Sequence, residues 1–106
     1  MKLLSRSEEI ALLAIWRLNG NAYGVTIRDI VNELTGKDWS FGAIYVPLDK
    51  LTQKGFVLKQ ISEPGSGRGE RSRCLYELTS TGKAALKEIR EIQDSLWEGI
   101  SSIAFD

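Results

Sequence analysis

The stretch "PGSGRGERSR", residues 64–73, constrains the fold most, because its residues favour a turn over a helix or a strand. β-favouring segments lie on both sides of it. "FVLKQI", residues 56–61, precedes it, and "SRCLYEL", residues 72–78, begins at its end. The sequence therefore predicts a β-hairpin whose tip is rich in glycine and arginine.

A glycine-rich stretch can also bind a nucleotide phosphate. The dinucleotide pattern G-x-G-x-x-G fails here because Glu70 occupies the third glycine position and a strand follows, and the P-loop pattern does not occur. Two interpretations remain: a tip whose arginines only keep it soluble, and a cationic hairpin that binds a polyanion. Arg71 and Arg73, spaced to share one face of a strand beside Lys59, favour the second.

Apolar residues recur at helical spacing in three segments before the hairpin. Ser5 and Glu8 have the spacing of a capping box at the start of the first segment, Gly36 follows the second, and Ser40 precedes the third. The residues expected to face the core are Ile10, Leu13, Ala14 and Leu18 in the first helix, Ile27, Ile30, Val31 and Leu34 in the second, and Ile44, Leu48 and Leu51 in the third.

A longer helix is predicted after the hairpin, from a cap at Thr79 or Thr81 to at least Trp97 and on to Ser102. Its apolar residues follow a heptad spacing and form one stripe. This stripe needs a partner, either the first helix of the same chain or a symmetry mate. Trp97 is a candidate to line an effector cavity there, although plain interface packing is the commoner role of such an aromatic.

Composition narrows the function. The 106 residues fit one domain, and the formal net charge is zero, but residues 50–73 contain six basic and two acidic side chains. The single cysteine excludes an internal disulfide, so we expect a reducing cytoplasm. The longest apolar run, residues 10–16, is too short to span a membrane. The absence of histidine and of a metal-ligand cluster predicts a non-enzyme without a cofactor.

The predicted order of three helices, two strands and a final helix is typical of a winged helix-turn-helix. The fold class is therefore α+β, mainly α. Residues 1–78 form the expected winged helix DNA-binding domain, and residues 79–106 form a C-terminal dimerisation helix packed on it. Some winged helices serve only as protein interaction modules, and the zero net charge keeps that alternative open.

The third helix and the hairpin supply the candidate DNA contacts. Tyrosine and lysine can bond phosphate oxygens, and glutamine and lysine also match base edges in the major groove. A solvated helix surface is the alternative for each residue. The predicted DNA-binding residues are Ser40, Ala43, Tyr45, Lys50, Gln53 and Lys54 on the helix, and Arg68, Arg71 and Arg73 on the hairpin.

Several motifs resemble the PadR family of bacterial transcriptional regulators, over roughly residues 10–86. The motifs that carry the resemblance are Tyr23-Gly24, Trp39-Ser40, Gly42, Ile44-Tyr45, the Leu48, Leu51 and Gly55 spacing, Tyr76-Glu77-Leu78-Thr79, and Gly82.

The resemblance implies a homodimer that binds double-stranded DNA, usually as a repressor, and that in several members a small, often aromatic, effector releases from DNA. It also implies that the terminal helices form the dimer interface, as in the short form with one C-terminal helix. The candidate interface residues are Leu13, Ile89, Ile92, Leu96, Trp97, Ile100 and Ile103.

Two positions depart from the family pattern. Ala43 stands where the family usually has threonine, so a hydroxyl that could hold a phosphate is lost. Val46 separates Tyr45 from Pro47, whereas the family usually places proline directly after the tyrosine. We expect Pro47 to bend the third helix, because it cannot donate to the carbonyl of Ala43.

Overall fold

The computed structural model describes residues 4–61 and 74–100. The elements follow the predicted order, and together they form a winged helix-turn-helix, as the sequence predicts. Their bounds are α1 Arg6–Leu18, α2 Gly24–Thr35, α3 Phe41–Gln53, β1 Val57–Ile61, β2 Cys74–Leu78 and α4 Ser80–Trp97.

The predicted helix caps form. The Ser5 hydroxyl accepts from the Glu8 amide at 3.1 Å, and the Glu8 carboxylate accepts from the Ser5 amide at 3.0 Å, which completes the capping box of α1. Ser40 caps α3 and Thr79 caps α4 through the same kind of contact. Gly36 ends α2 in the left-handed conformation, which glycine adopts without steric cost.

Strands β1 and β2 pair antiparallel, with Val57 opposite Leu78 and Ile61 opposite Cys74. This pairing confirms the two strands of the predicted hairpin. The hairpin tip, with its predicted DNA contacts Arg68, Arg71 and Arg73, lies outside the described residues, as do Ser102 and Ile103.

The core lies between α1, α2, α3 and the strands, with Leu86 joining it from α4. Among the predicted core residues, Leu13 and Leu34 are exposed, whereas Leu12 and Ile15 are fully buried. Helix α1 is apolar on two faces, so its spacing alone did not decide which face turned inward. Leu34 belongs to the last turn of α2, which the neighbouring elements leave uncovered.

The N-terminal part of α4 packs on the domain. Gly82 lies directly against the Phe56 carbonyl, and a side chain at position 82 would collide with that backbone. Further along α4, the side-chain Nε2 of Gln93 donates to the Glu9 carboxylate of α1 at 3.1 Å. No helix within residues 4–61 and 74–100 has the length and apolar content to cross a bilayer.

Candidate nucleic-acid interface

Helix α3 has one buried side and one exposed side. Ile44, Leu48 and Leu51 are buried as predicted, and Pro47 joins them. The helix continues through Pro47 to Gln53, and burial of the proline ring against the core accompanies the missing backbone hydrogen bond. The structure places five predicted residues on the exposed side: Ser40, Ala43, Tyr45, Lys50 and Gln53.

Two residues at the centre of the exposed side were absent from the prediction. Gly42, Val46 and Gln53 follow an i, i+4, i+11 spacing and therefore point in nearly the same direction, away from the core. Val46 is 56% exposed. Helical periodicity is the signal in the sequence that identifies Gly42 and Val46. We call Gly42, Val46, Asp49, Lys50 and Gln53 the outer face of α3.

Tyr45 lies at one edge of this face and packs on α2. Its phenol rests on the backbone of Gly24, where any Cβ would collide with it. Its ring also stacks on Phe41, with 6.3 Å between ring centroids. The Arg28 guanidinium in turn covers Phe41, 4.7 Å from the ring centroid. These contacts hold the first turns of α3 against the start of α2.

The turn between α2 and α3 is held by two polar residues that sequence analysis missed. The side-chain Oδ1 of Asn32 accepts from the Trp39 backbone amide at 2.8 Å. Arg28 donates to the Trp39 carbonyl at 2.6 Å and pairs with Asp38 at 3.2 Å. Arg28 and Asn32 are one helical turn apart on α2, and this i, i+4 spacing is the only sequence signal that could have suggested a shared role. They fix the angle at which α3 leaves the turn.

The side chain of Lys54 turns toward α1. Its ammonium group is 2.5 Å from the Glu8 carboxylate, and the Glu8 residue is only 3% exposed. Burial raises the pKa of Glu8, but hydrogen bonds from Lys54 and Ser5 outweigh that effect and lower the pKa below its ordinary value. The lysine is thus engaged inside the domain and is not directed outward with Lys50.

The strand β2 pairs with β1 and packs against α1. Tyr76 is buried, and its amide donates to the Ala22 carbonyl at 2.8 Å. Burial raises the pKa of the Tyr76 hydroxyl well above its usual range, and the nearby Cys74, Tyr45 and Asp49 raise it further. Tyr76 therefore stays neutral, and its backbone joins β2 to the segment that precedes α2.

Exposed apolar side chains also occur on α1 and α4, which do not contribute to the outer face of α3. Its apolar side chains include the predicted Leu13, Ile92, Leu96, Trp97 and Ile100, whereas Ile89 is half-buried. Trp16, which the prediction did not include, is 46% exposed. We call this set, with Leu13, Trp16, Ile92, Leu96, Trp97 and Ile100, the apolar face.

A groove of about 460 Å³ lies where α1 meets α4 beside this apolar face. Leu13, Trp16, Leu86 and Ile89 supply its apolar walls, and its charged residues are Glu9, Lys87, Arg90 and Asp94. Such a groove has the dimensions of a small-molecule site.

Comparison with solved structures gives the same fold. RosR of H. salinarum is 27% identical over 91% of this chain and 79% of its own, with a TM-score of 0.70. A PadR-like regulator of Bacillus cereus gives a TM-score of 0.74 at 17% identity, covering 93% of this chain and 91% of its own. A PadR-like transcription factor of Bacteroides fragilis gives 0.71 at 22% identity, covering 93% of each chain. At these last two identities the likeness concerns the fold.

The search among functionally curated proteins found no match. The family model of the PadR-like transcriptional regulators matches residues 12–88, from α1 through the hairpin into α4. The matched residues include the whole of α2, α3, β1 and β2. The chain is therefore a member of the PadR-like family of transcriptional regulators.

Proposed function

We propose that this regulator binds double-stranded DNA in a sequence-specific manner, as a homodimer, and represses transcription from the bound promoter. The observation that carries the proposal is the outer face of α3, an exposed helix surface held at a fixed angle by Arg28, Asn32 and Gly24. A rigid exposed helix after a helix-turn-helix turn fits the major groove. We refer to α3 as the recognition helix.

The residues of the recognition helix suit different contacts. Gln53 and Lys50 can bond base edges, and Lys50 and Tyr45 can also bond phosphates. Val46 suits contact with a thymine methyl group. Gly42 and Ala43 are small, which allows the start of the helix to approach the groove closely. We leave Lys54 out of this set because its ammonium is paired with Glu8.

The hairpin of β1, β2 and the residues between them, which we call the wing, completes the proposed interface. Arg68, Arg71 and Arg73 follow β1, whose described residues already include the exposed Lys59. Arginines on a hairpin beside a docked helix suit the sugar-phosphate backbone or the adjacent minor groove, and these contacts carry little sequence information. The wing therefore supplies affinity, and the recognition helix supplies specificity.

The apolar face supports the homodimer. Leu96 is 69% exposed, and together with Ile92 and Trp97 on the same helix it forms an apolar surface that a monomer would leave in water. A two-fold partner covers such a surface with its own copy. The resulting dimer presents two recognition helices to successive major grooves, about 34 Å apart, on an inverted repeat.

We also propose that a small aromatic effector binds in the groove between α1 and α4. Trp16 and the neighbouring leucines offer apolar contact area, and Lys87 and Arg90 offer charge for a polar substituent. A ligand between these helices changes how α4 packs on α1, and thereby the distance between the recognition helices. Fluorescence titration with simple aromatic compounds, followed by release from DNA, tests this step.

Selection of bound duplexes from a randomised pool tests the function as a whole. The expected result is an enriched inverted repeat that binds far more tightly than random duplex, with affinity that falls as salt rises. A promoter carrying the enriched repeat should be repressed in a reporter strain. The competing hypothesis, a winged helix that binds only proteins, predicts no enrichment and no salt-dependent binding of random duplex.

A further inference from the structure

A buried ion pair outside the outer face joins Glu8, in the first turn of α1, to Lys54, at the C-terminal end of α3. The Glu8 carboxylate, in the first turn of α1, accepts from the Ser5 amide through one oxygen and from the Lys54 ammonium through the other. Lys54 is the C-cap residue that directly follows α3, where its own backbone amide donates to the Lys50 carbonyl. This ion pair therefore joins the start of α1 to the end of α3.

The contact is directional because both of its partners are restrained. Glu8 is fixed by the capping box and is almost completely buried, so the carboxylate cannot follow a displaced lysine into water. A hydrogen bond to a charged group in such surroundings is strong and depends on geometry. Movement of the C-terminal end of α3 away from α1 breaks it. Gln53, which precedes Lys54, belongs to the outer face, so the pair restrains a residue that faces DNA.

The other end of the recognition helix is restrained separately. Tyr45 on Gly24 and the Arg28 and Asn32 contacts hold its first turns and the preceding turn. A helix held at one end can still pivot, and a helix held at both ends cannot. Burial of Leu48 and Leu51 anchors the C-terminal half of α3 in the core, and the Glu8–Lys54 pair adds a directional polar contact at that end.

We propose that Glu8 is a positioning residue for DNA recognition, and that Lys54 acts by binding Glu8 and not by binding phosphate. The inference rests on the proposed function of α3 as the recognition helix. Loss of the pair allows α3 to pivot, which misplaces Gln53 and Lys50 relative to base edges. Phosphate contacts tolerate such displacement, because the backbone offers an oxygen at every nucleotide.

Five variants test the proposal: Glu8→Gln, Lys54→Met, the double variant that carries both of these substitutions, Lys54→Arg and the control Glu9→Gln. The control removes the same charge from the next residue of the same turn, but Glu9 contacts Gln93 of α4 and not α3. The probes are a duplex that the wild-type protein selects from a randomised pool and a random duplex of equal length. Affinities are measured over a range of salt, with circular dichroism confirming the folded fraction of each variant.

Glu8→Gln and Lys54→Met should each weaken binding to the selected duplex by about tenfold, the size of one misplaced base contact, and leave binding to random duplex nearly unchanged. The double variant should be no weaker than either single variant, since both remove one interaction. Lys54→Arg should restore most of the affinity because its guanidinium still binds the carboxylate. Glu9→Gln should behave as wild type.

Other outcomes overturn the proposal. If Lys54 binds phosphate, Lys54→Met weakens both probes and lowers the salt slope by about 0.9, while Glu8→Gln does not weaken either. If the pair serves only folding, the melting temperature falls and the ratio of the two affinities stays constant. A wild-type protein that selects no duplex rejects the proposed function, and the positioning role falls with it. Normal selection with an unaffected Glu8→Gln variant rejects the positioning role alone.

Discussion

The backbone of Gly24, the first residue of α2, lies so close to the phenol of Tyr45 on α3 that a Cβ at position 24 would overlap the hydroxyl. While the Tyr45 ring keeps this position, only glycine fits at position 24. Position 24 and position 45 are far apart in the sequence and in different helices. Their contact sets how near the two helices come at the edge of the outer face.

Gly24→Ala should destabilise the protein less than Gly82→Ala. The added methyl at position 24 meets the end of a partly exposed tyrosine side chain, which can rotate away at the loss of its stacking on Phe41, about 1 kcal/mol. The methyl at position 82 meets the Phe56 backbone, which cannot move without shifting β1, so about 3 kcal/mol is expected. Urea unfolding gives both values. Gly42→Ala is the control and should be neutral or slightly stabilising, because its added methyl meets only the Ser40 Oγ, at an ordinary contact distance of 3.9 Å. Equal losses at positions 24 and 82 would contradict this prediction.

Gln53→Ala and Lys50→Ala should separate base contacts from phosphate contacts. Gln53→Ala should cost about 1–3 kcal/mol on the selected duplex and leave random duplex unaffected. Lys50→Ala should weaken both duplexes and lower the slope of log affinity against log salt by about 0.9 if Lys50 binds phosphate. Fluorescence anisotropy at several salt concentrations measures both quantities. Uniform weakening by Gln53→Ala would assign it to the backbone instead.

The wing arginines should contribute affinity without specificity. Replacing Arg68, Arg71 and Arg73 together with alanine should weaken selected and random duplex by similar factors, and should lower the salt slope by up to about 2.7. Solvent-exposed charges contribute at most about 1 kcal/mol each to stability, so the triple variant should remain folded. A folded triple variant with unchanged affinity and slope would show that the tip only keeps the chain soluble.

Leu96→Glu should convert the homodimer to a monomer or to aggregates, because it places an uncompensated charge in the apolar face. The matched control is Leu34→Glu, since Leu34 is 56% exposed on α2 and lies outside that face. Sedimentation equilibrium at micromolar concentration should show a monomer for the first variant and a dimer for the second. A monomeric wild-type protein would remove the proposed interface.

The Glu8 carboxylate should make stability depend on pH in the acid range. Its pKa is lower in the folded protein than its ordinary value of 4.5, so its stabilising effect is present above that pH and is lost as the pH falls through the folded pKa. At pH 7, Glu8→Gln should cost about 1–3 kcal/mol in the free energy of unfolding. The difference between wild type and variant should shrink below about pH 4.5. A difference that stays constant down to pH 3 would mean that the charge of Glu8 is not responsible.

Local pattern was sufficient for the elements and their limits. Ser5 with Glu8, Ser40 and Thr79 are caps that depend on a few neighbouring residues, and each forms where the sequence predicts it. The same holds for the buried side of α3, where the spacing of Ile44, Leu48 and Leu51 leaves a single face to turn inward. The family motifs are local in the same sense.

Tertiary packing decided what spacing left open. Helix α1 is apolar on two sides, and only its neighbours determined that Leu12 turns inward and Leu13 outward. Lys54 has the spacing of an exposed helix residue, but the buried Glu8, 46 positions earlier, draws its ammonium inside. Burial of a carboxylate is unfavourable without a partner, so the pair forms only when α1 and α3 are already packed together. The sequence alone determined the elements, whereas the choice of which side chains face DNA, core or partner depended on contacts between residues distant along the chain.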